Sequence, residues 1–192
     1  MTPVSFIAGR ATVLALAHVD TDRILPARFL LQPGGDALFR DLRAADPACP
    51  LRPAGNPPIL LAGPNFGCGA AREAAARALL VSGIRCIIAP GFGGFFPDMA
   101  ARIGLLTIAL PPDLFTALLD GVRRDPEVSV DLERERIRCA GFEYPFQLDR
   151  FMRDCLLAGL DELTITRDSA IADAIDRFEG ADARRRPWAT PV

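Results

Sequence analysis

The chain has 192 residues, of which 50% are hydrophobic and 24% charged, with 22 basic against 24 acidic side chains. This balance excludes a disordered chain and gives one substantial domain with a real core. A net charge of −2 excludes a general attraction to nucleic acid or anionic membrane, and apolar runs of about eight residues are too short to cross a bilayer.

Every basic residue is arginine, which fits a coding bias and also suits carboxylate binding. The cysteines, Cys49, Cys68, Cys86, Cys139 and Cys155, form no C-x-x-C pair and no metal-ligand spacing. With no signal peptide in "MTPVSFIAGR", they read as reduced thiols of a cytoplasmic protein. A single histidine, His18, leaves no self-contained histidine catalyst and no multi-histidine metal site. Any chemistry here needs equipment from elsewhere.

In chain order, "VSFIAGRATVLAL" is a strand bent at Gly9, or a hairpin. "HVDTDRILPARFLLQPGG" follows as a long, functional-looking loop. "DALFRDLRAA" forms a short helix with Asp36 near its N-cap, and "DPACPLRPAGNPP" is connector. Then an α/β rhythm begins. "ILLAG", "IRCIIAP" and "LLTIAL" are buried strands, separated by a helix in "AAREAAARALLVSG" and a short one in "GGFFPDMAARIG". "PPDLFTALLDGVRRD" is a helix with proline in its first turn and arginines in its last. "VSVDLERERIRCAGFEYPFQL" alternates as a half-exposed antiparallel pair does. Helices in "DRFMRDCLLAGL" and "DSAIADAIDRFEG" close one compact α/β domain, and "ADARRRPWATPV" is a loose tail.

"NFGCGAAREAAARALL", from Asn65, is the stretch that points to function. The amides that open a helix are unpaired and carry partial positive charge, so they attract carboxylates and phosphates. Gly67 and Gly69 let backbone approach a ligand, and Arg72, placed in the first turn, offers a bidentate grip on a carboxylate. A nucleotide site fits poorly. "GCGAAR" has only the first two glycines of G-x-G-x-x-G, and the next strand ends "IIAPGF" with no acid for a ribose. A di- or tricarboxylate site and a plain tight turn both remain open on the loop alone.

"NFGCGAARE", with "HVDTDRILPARFL" upstream, resembles the small subunit of 3-isopropylmalate dehydratase, the swivelling domain of the aconitase superfamily on a separate chain. The family patterns run close to N-F-G-C-G-S-S-R-E-H and N-V-D-T-D-x-I-I-P. "IIAPGF" and the ending "GLDELTIT" extend the likeness to about residue 178. The resemblance implies an α/β swivelling-type domain over residues 1–178, with a mixed, partly barrel-like sheet flanked by helices, and a flexible tail over 179–192. It implies interconversion of 2- and 3-isopropylmalate through 2-isopropylmaleate in leucine biosynthesis. A large subunit would hold a [4Fe-4S] cluster, this chain would bind neither metal nor cofactor, and the substrate would be a small hydroxy-dicarboxylate. No membrane or nucleic acid is involved.

Carried over by residue, Arg72 matches the carboxylate-binding arginine, with Gly67, Gly69 and Ala71 in the same loop. Asp22 matches an acid that orients a histidine of the large subunit, while Asp20 and Thr21 share its motif or simply bond their own turn. Phe29, Leu30 and Leu31 stand where the family selects substrates by side group, and suit an apolar one. His18 replaces the usual asparagine and is read as local hydrogen bonding. Ala70 stands where the family has the serine base, Ala71 replaces a second serine and Ala74 a histidine. Alanine accepts no proton, and losing a catalytic base typically costs a factor of ~10²–10⁴. Three readings stay open: another group supplies the base, the chain is a paralogue that retains binding only, or it serves a related hydroxy-diacid.

Overall fold

The computed structural model describes residues 2–30, 35–160, 172–186 and 188. They fall in two compact units, Met1–Gly159 and Leu160–Val192. In the first unit the described strands form one mixed sheet of seven, ordered β4-β3-β2-β1-β5-β6-β7. These are β1 (Phe6–Leu14), β2 (Ile59–Ala62), β3 (Cys86–Ala89), β4 (Leu106–Ala109), β5 (Glu127–Asp131), β6 (Arg136–Cys139) and β7 (Phe142–Pro145). Strands β1 to β4 run parallel, and β1, β5, β6 and β7 pair antiparallel.

The bend expected at Gly9 resolves as one strand with two allegiances. Residues Phe6 to Arg10 pair antiparallel with β5, and Ala11 to Leu14 pair parallel with β2. Gly9 sits near the change of partner at φ +148°, where a Cβ would lie 2.8 Å from the Pro58 ring. Strand β1 thus joins the parallel and antiparallel halves of the sheet.

Strands β2 and β3 are buried along their whole length and β4 along most of it, so their residues alternate between two cores. Leu60, Ala62, Ile87 and Ala89 face one core, together with Ala75, Ala76 and Leu79 of α3 (Glu73–Val81) and Phe96 and Ala100 of α4 (Phe96–Arg102). Ile59, Leu61, Cys86, Ile88, Leu106 and Ile108 face the other, with Phe115, Leu118 and Val122 of α5 (Pro112–Arg124) and Leu156 of α6 (Arg150–Ala158). Burying one such Leu or Ile contributes about 1.5–3 kcal/mol, which makes this sheet the anchor for the loops it carries.

The expected strands and connecting helices of the parallel half are present, and the mixed sheet with flanking helices is the expected α/β swivelling-type architecture. Several elements differ. The supposed long loop contains α1 (Thr21–Ile24) and a 3₁₀ turn at Ala27–Phe29. It could not be read as helical because four residues are too few to show a period. Asp36 does not cap α2 (Arg40–Ala45); it lies in a 3₁₀ turn and pairs with Arg40 and Arg43. The antiparallel pair is a meander of three strands, since the chain turns again at Ala140 and Gly141 and β7 buries only Tyr144.

In the second unit, α7 (Ala172–Arg185) spans residue 178, the expected end of the domain, and is helical where a loose tail was expected. Most of "GLDELTIT" and the first residues of the last expected helix lie outside the described residues.

Candidate active site

Binding sites of open α/β sheets gather outside the carboxyl ends of parallel strands. Here the loops that leave β1, β2 and β3 at that end are bonded to one another. The amide of Gly67 donates to Val19 O at 2.7 Å, and that of Thr21 to Cys68 O at 3.0 Å. The Thr21 hydroxyl, wholly buried, donates to Ala70 O at 2.9 Å. On the other side Phe66 N–H donates to Gly91 O at 3.2 Å, and Gly93 N–H to Phe66 O at 2.8 Å. The D-T-D and N-F-G-C-G motifs therefore form one backbone structure.

Within it the side chains divide their work. Asp20 caps α1, its carboxylate accepting from Arg23 N–H at 2.7 Å. Thr21, by contrast, bonds across the site rather than within its own turn. The Asn65 side-chain amide lies 3.0 Å from His18 Nδ1, the local hydrogen bonding expected of that histidine. Cys68 contributes its backbone to the junction with Asp20 and is half-buried.

Asp22 and Arg72, 50 positions apart, form an ion pair between Asp22 Oδ1 and Arg72 Nη1. The same carboxylate oxygen accepts from Ala27 N–H at 3.2 Å, which ties the 3₁₀ turn to the site. Local sequence patterns carry no signal for this pair; only the joined loops bring it together. Side-chain exposure is 24% for Arg72 and 54% for Asp22, so both charges meet solvent and the pair itself adds little to stability. A guanidinium has five N–H donors, so one bond to Asp22 leaves others for a second carboxylate.

The structure corrects the placement of Arg72. Helix α3 begins at Glu73, and Arg72 is its N-cap residue at φ −121°, ψ 100°, with no side-chain capping bond. Ala70 and Ala71 precede the helix and are exposed. The Thr21 hydroxyl engages the Ala70 carbonyl, and the backbone is still extended at Arg72, just before the helix. Ala75 N–H then donates to Arg72 O at 3.1 Å as the helix closes its first turn.

The two glycines also part company. Gly69 is exposed and faces Asp20. Gly67 is buried at φ +72°, where a Cβ would lie 2.3 Å from the Phe96 ring, so its lack of a side chain serves packing. Phe66 meets Phe96 edge-on at 5.6 Å and Phe92 stacks on it at 6.2 Å, giving the loop an aromatic floor.

Of the apolar candidates, Phe29 is half-buried against the first core and Leu30 is 37% exposed, while Leu31 lies outside the described residues. Among the described residues, no group of three or more His, Cys, Asp or Glu is arranged to hold a metal ion. Burial pushes the Cys86 thiol far up, and it also raises that of Cys139.

The 3-isopropylmalate dehydratase small subunit of Erythrobacter litoralis is 41% identical to the chain, covering 99% of it and 96% of the relative. The chain belongs to the 3-isopropylmalate dehydratase small-subunit family. The small subunit of Novosphingobium aromaticivorans is 42% identical, over 90% of this chain and 89% of its own. Residues 41–113, which include the N-F-G-C-G loop and Arg72, match the aconitase C-terminal domain. The crystal structure of 3-isopropylmalate dehydratase from Methanocaldococcus jannaschii shares the fold, with a TM-score of 0.65 at 24% identity, covering 89% of this chain and 99% of that one. Among the described residues, no helix of this family member is long and apolar enough to cross a membrane.

Proposed function

We propose that the chain is the substrate-covering small subunit of a cytoplasmic 3-isopropylmalate dehydratase. In leucine biosynthesis this hydro-lyase interconverts 2- and 3-isopropylmalate through 2-isopropylmaleate. The observation that carries the reading is the joined pair of loops, which presents Arg72, its partner Asp22 and the opening of α3 at the carboxyl end of the parallel sheet. The likeness to dehydratase small subunits over 99% of the chain supports the same function, and does not favour a paralogue that only binds.

In this reading Arg72 holds a substrate carboxylate with the guanidinium donors that Asp22 leaves, assisted by the partial positive charge at the start of α3. Asp22 keeps Arg72 extended toward that carboxylate, and its second oxygen is available to a group of the partner. Leu30 offers an apolar contact for the isopropyl side group. The reaction removes a proton and a hydroxyl from neighbouring carbons and returns them in exchanged positions. Ala70 has no atom that takes the proton, so the base is a water molecule or a group of the large subunit. The [4Fe-4S] cluster, held by that subunit, supplies the Lewis acid for the hydroxyl. This chain's residues bind and orient the substrate.

The test is coexpression with the large subunit, anaerobic cluster reconstitution and assay on 2-isopropylmalate, with Ala70→Ser alongside. Turnover by the unaltered complex is expected. A complex that assembles but turns over only once residue 70 is serine would contradict the proposal, because the scaffold would then lack a working base.

A further inference from the structure

Helix α2 does not reach the site, yet it holds the segment that leaves it. Arg28 Nη1 donates to Asp41 Oδ2 at 3.0 Å, and Nη2 donates to Asp41 Oδ1, a two-pronged grip between the 3₁₀ turn and α2. Two guanidiniums lie over the Phe29 ring, that of Arg28 at 4.6 Å and that of Arg40 on α2 at 5.3 Å. The same turn is bound to the site through Ala27 N–H on Asp22, which holds Arg72.

The helix itself is well fixed. Phe39, which precedes it, is fully buried, and its N–H donates to Ile24 O at the end of α1 at 2.8 Å. It adopts φ +50°, a conformation that a bulky residue keeps only where its surroundings enforce it. Arg43 Nη2 donates to Asp36 O at 2.6 Å, and Arg40 pairs with Asp36 at 2.5 Å. Helix α2 thus reaches a solvent-facing turn by one bidentate contact and one guanidinium over a ring.

We propose that Asp41 is a positioning residue for substrate selection: through Arg28 it sets the 3₁₀ turn, and so the apolar contact of Leu30 and the posture of Asp22 beside Arg72. The inference rests on the function proposed above. The Arg28 guanidinium holds the Asp41 carboxyl below its ordinary range, so the contact is fully charged at neutral pH. The pair is exposed and contributes little to folding. Its effect belongs in substrate affinity and discrimination.

The experiment uses the reconstituted complex with the unaltered chain, Asp41→Asn and Asp41→Glu. Each is assayed on 2-isopropylmalate and on the analogue with methyl in place of isopropyl. Asp41→Asn is expected to raise KM for 2-isopropylmalate about fivefold while kcat stays within about twofold. It should also narrow the preference for isopropyl over methyl. Asp41→Glu, which keeps the carboxylate, should recover most of both. Unchanged KM and preference in Asp41→Asn, with normal turnover by the unaltered complex, would overturn this inference alone. Failure of Asp41→Glu to recover what Asp41→Asn loses would also overturn it, since the effect would not depend on the carboxylate. No turnover by the unaltered complex would overturn the function and this inference together.

Discussion

The two walls of the candidate site are held by different forces. The N-F-G-C-G wall is fixed by backbone hydrogen bonds, a buried threonine and three phenylalanines. The opposite wall, from Asp22 to Leu30, is held at its far end by an exposed ion pair and a half-buried ring. Buried packing resists salt and tolerates little change, whereas exposed pairs are screened and easily altered. One wall is suited to presenting Arg72 in a fixed place, and the other to adjusting which side group fits.

The sharpest way to break this division is at Arg72. Arg72→Ala should lower kcat/KM of the reconstituted complex by about 10²-fold, as loss of a charged contact to substrate does. Its half-exposed position should leave the melting temperature nearly unchanged. Gly67→Ala attacks the same wall through packing. With φ +72° and a Cβ 2.3 Å from the Phe96 ring, it should destabilise the chain by about 2–3 kcal/mol in urea unfolding. If Gly67→Ala unfolds at the same midpoint as the unaltered chain, the aromatic floor does not constrain residue 67.

Thr21→Val should have a smaller effect. It removes the hydroxyl bond to Ala70 O and should cost about 1–2 kcal/mol, with a modest loss of activity as the two loops separate. Salt sharpens the comparison further. Raising ionic strength should increase KM for 2-isopropylmalate in the unaltered complex, and less in Asp41→Asn, where one screened pair is already missing.

The smallest effects concern pH. Asp41 has a folded-state value lowered from 3.8 by its bond to Arg28, so its contribution is present above 3.8 and is lost as pH falls through the lower folded value. No activity change near neutrality should trace to it. Cys86 runs the other way. Burial raises it from 9.0, so its contribution is complete below pH 9.0 and declines as pH rises above that value. Unfolding at increasing alkaline pH, with Cys86→Ala less sensitive, would show this.

How much was legible in the sequence follows from the same physics. "ILLAG", "IRCIIAP" and "LLTIAL" announced the parallel strands because burial on both faces leaves continuous apolar runs closed by glycine or proline. The candidate site loop stands out because Gly69 and Arg72 have a local pattern. The Asp22–Arg72 and Arg28–Asp41 pairs had none, since each joins residues of different elements. The sequence places the start of α3 too early because Ala70 and Ala71 have high helix propensity, which the bond from Thr21 to Ala70 O overrides. A local reading of Gly67 offers only approach to a ligand, and the packing demand that Phe96 places on it, from 29 positions away, is invisible there.

The most direct test of the central claim is steady-state turnover of 2-isopropylmalate by the anaerobically reconstituted complex, comparing the unaltered chain with Arg72→Ala. The account predicts turnover in the first and about a 10²-fold lower kcat/KM in the second, with both complexes assembled. Equal rates in the two, or no turnover in the assembled unaltered complex, would contradict it.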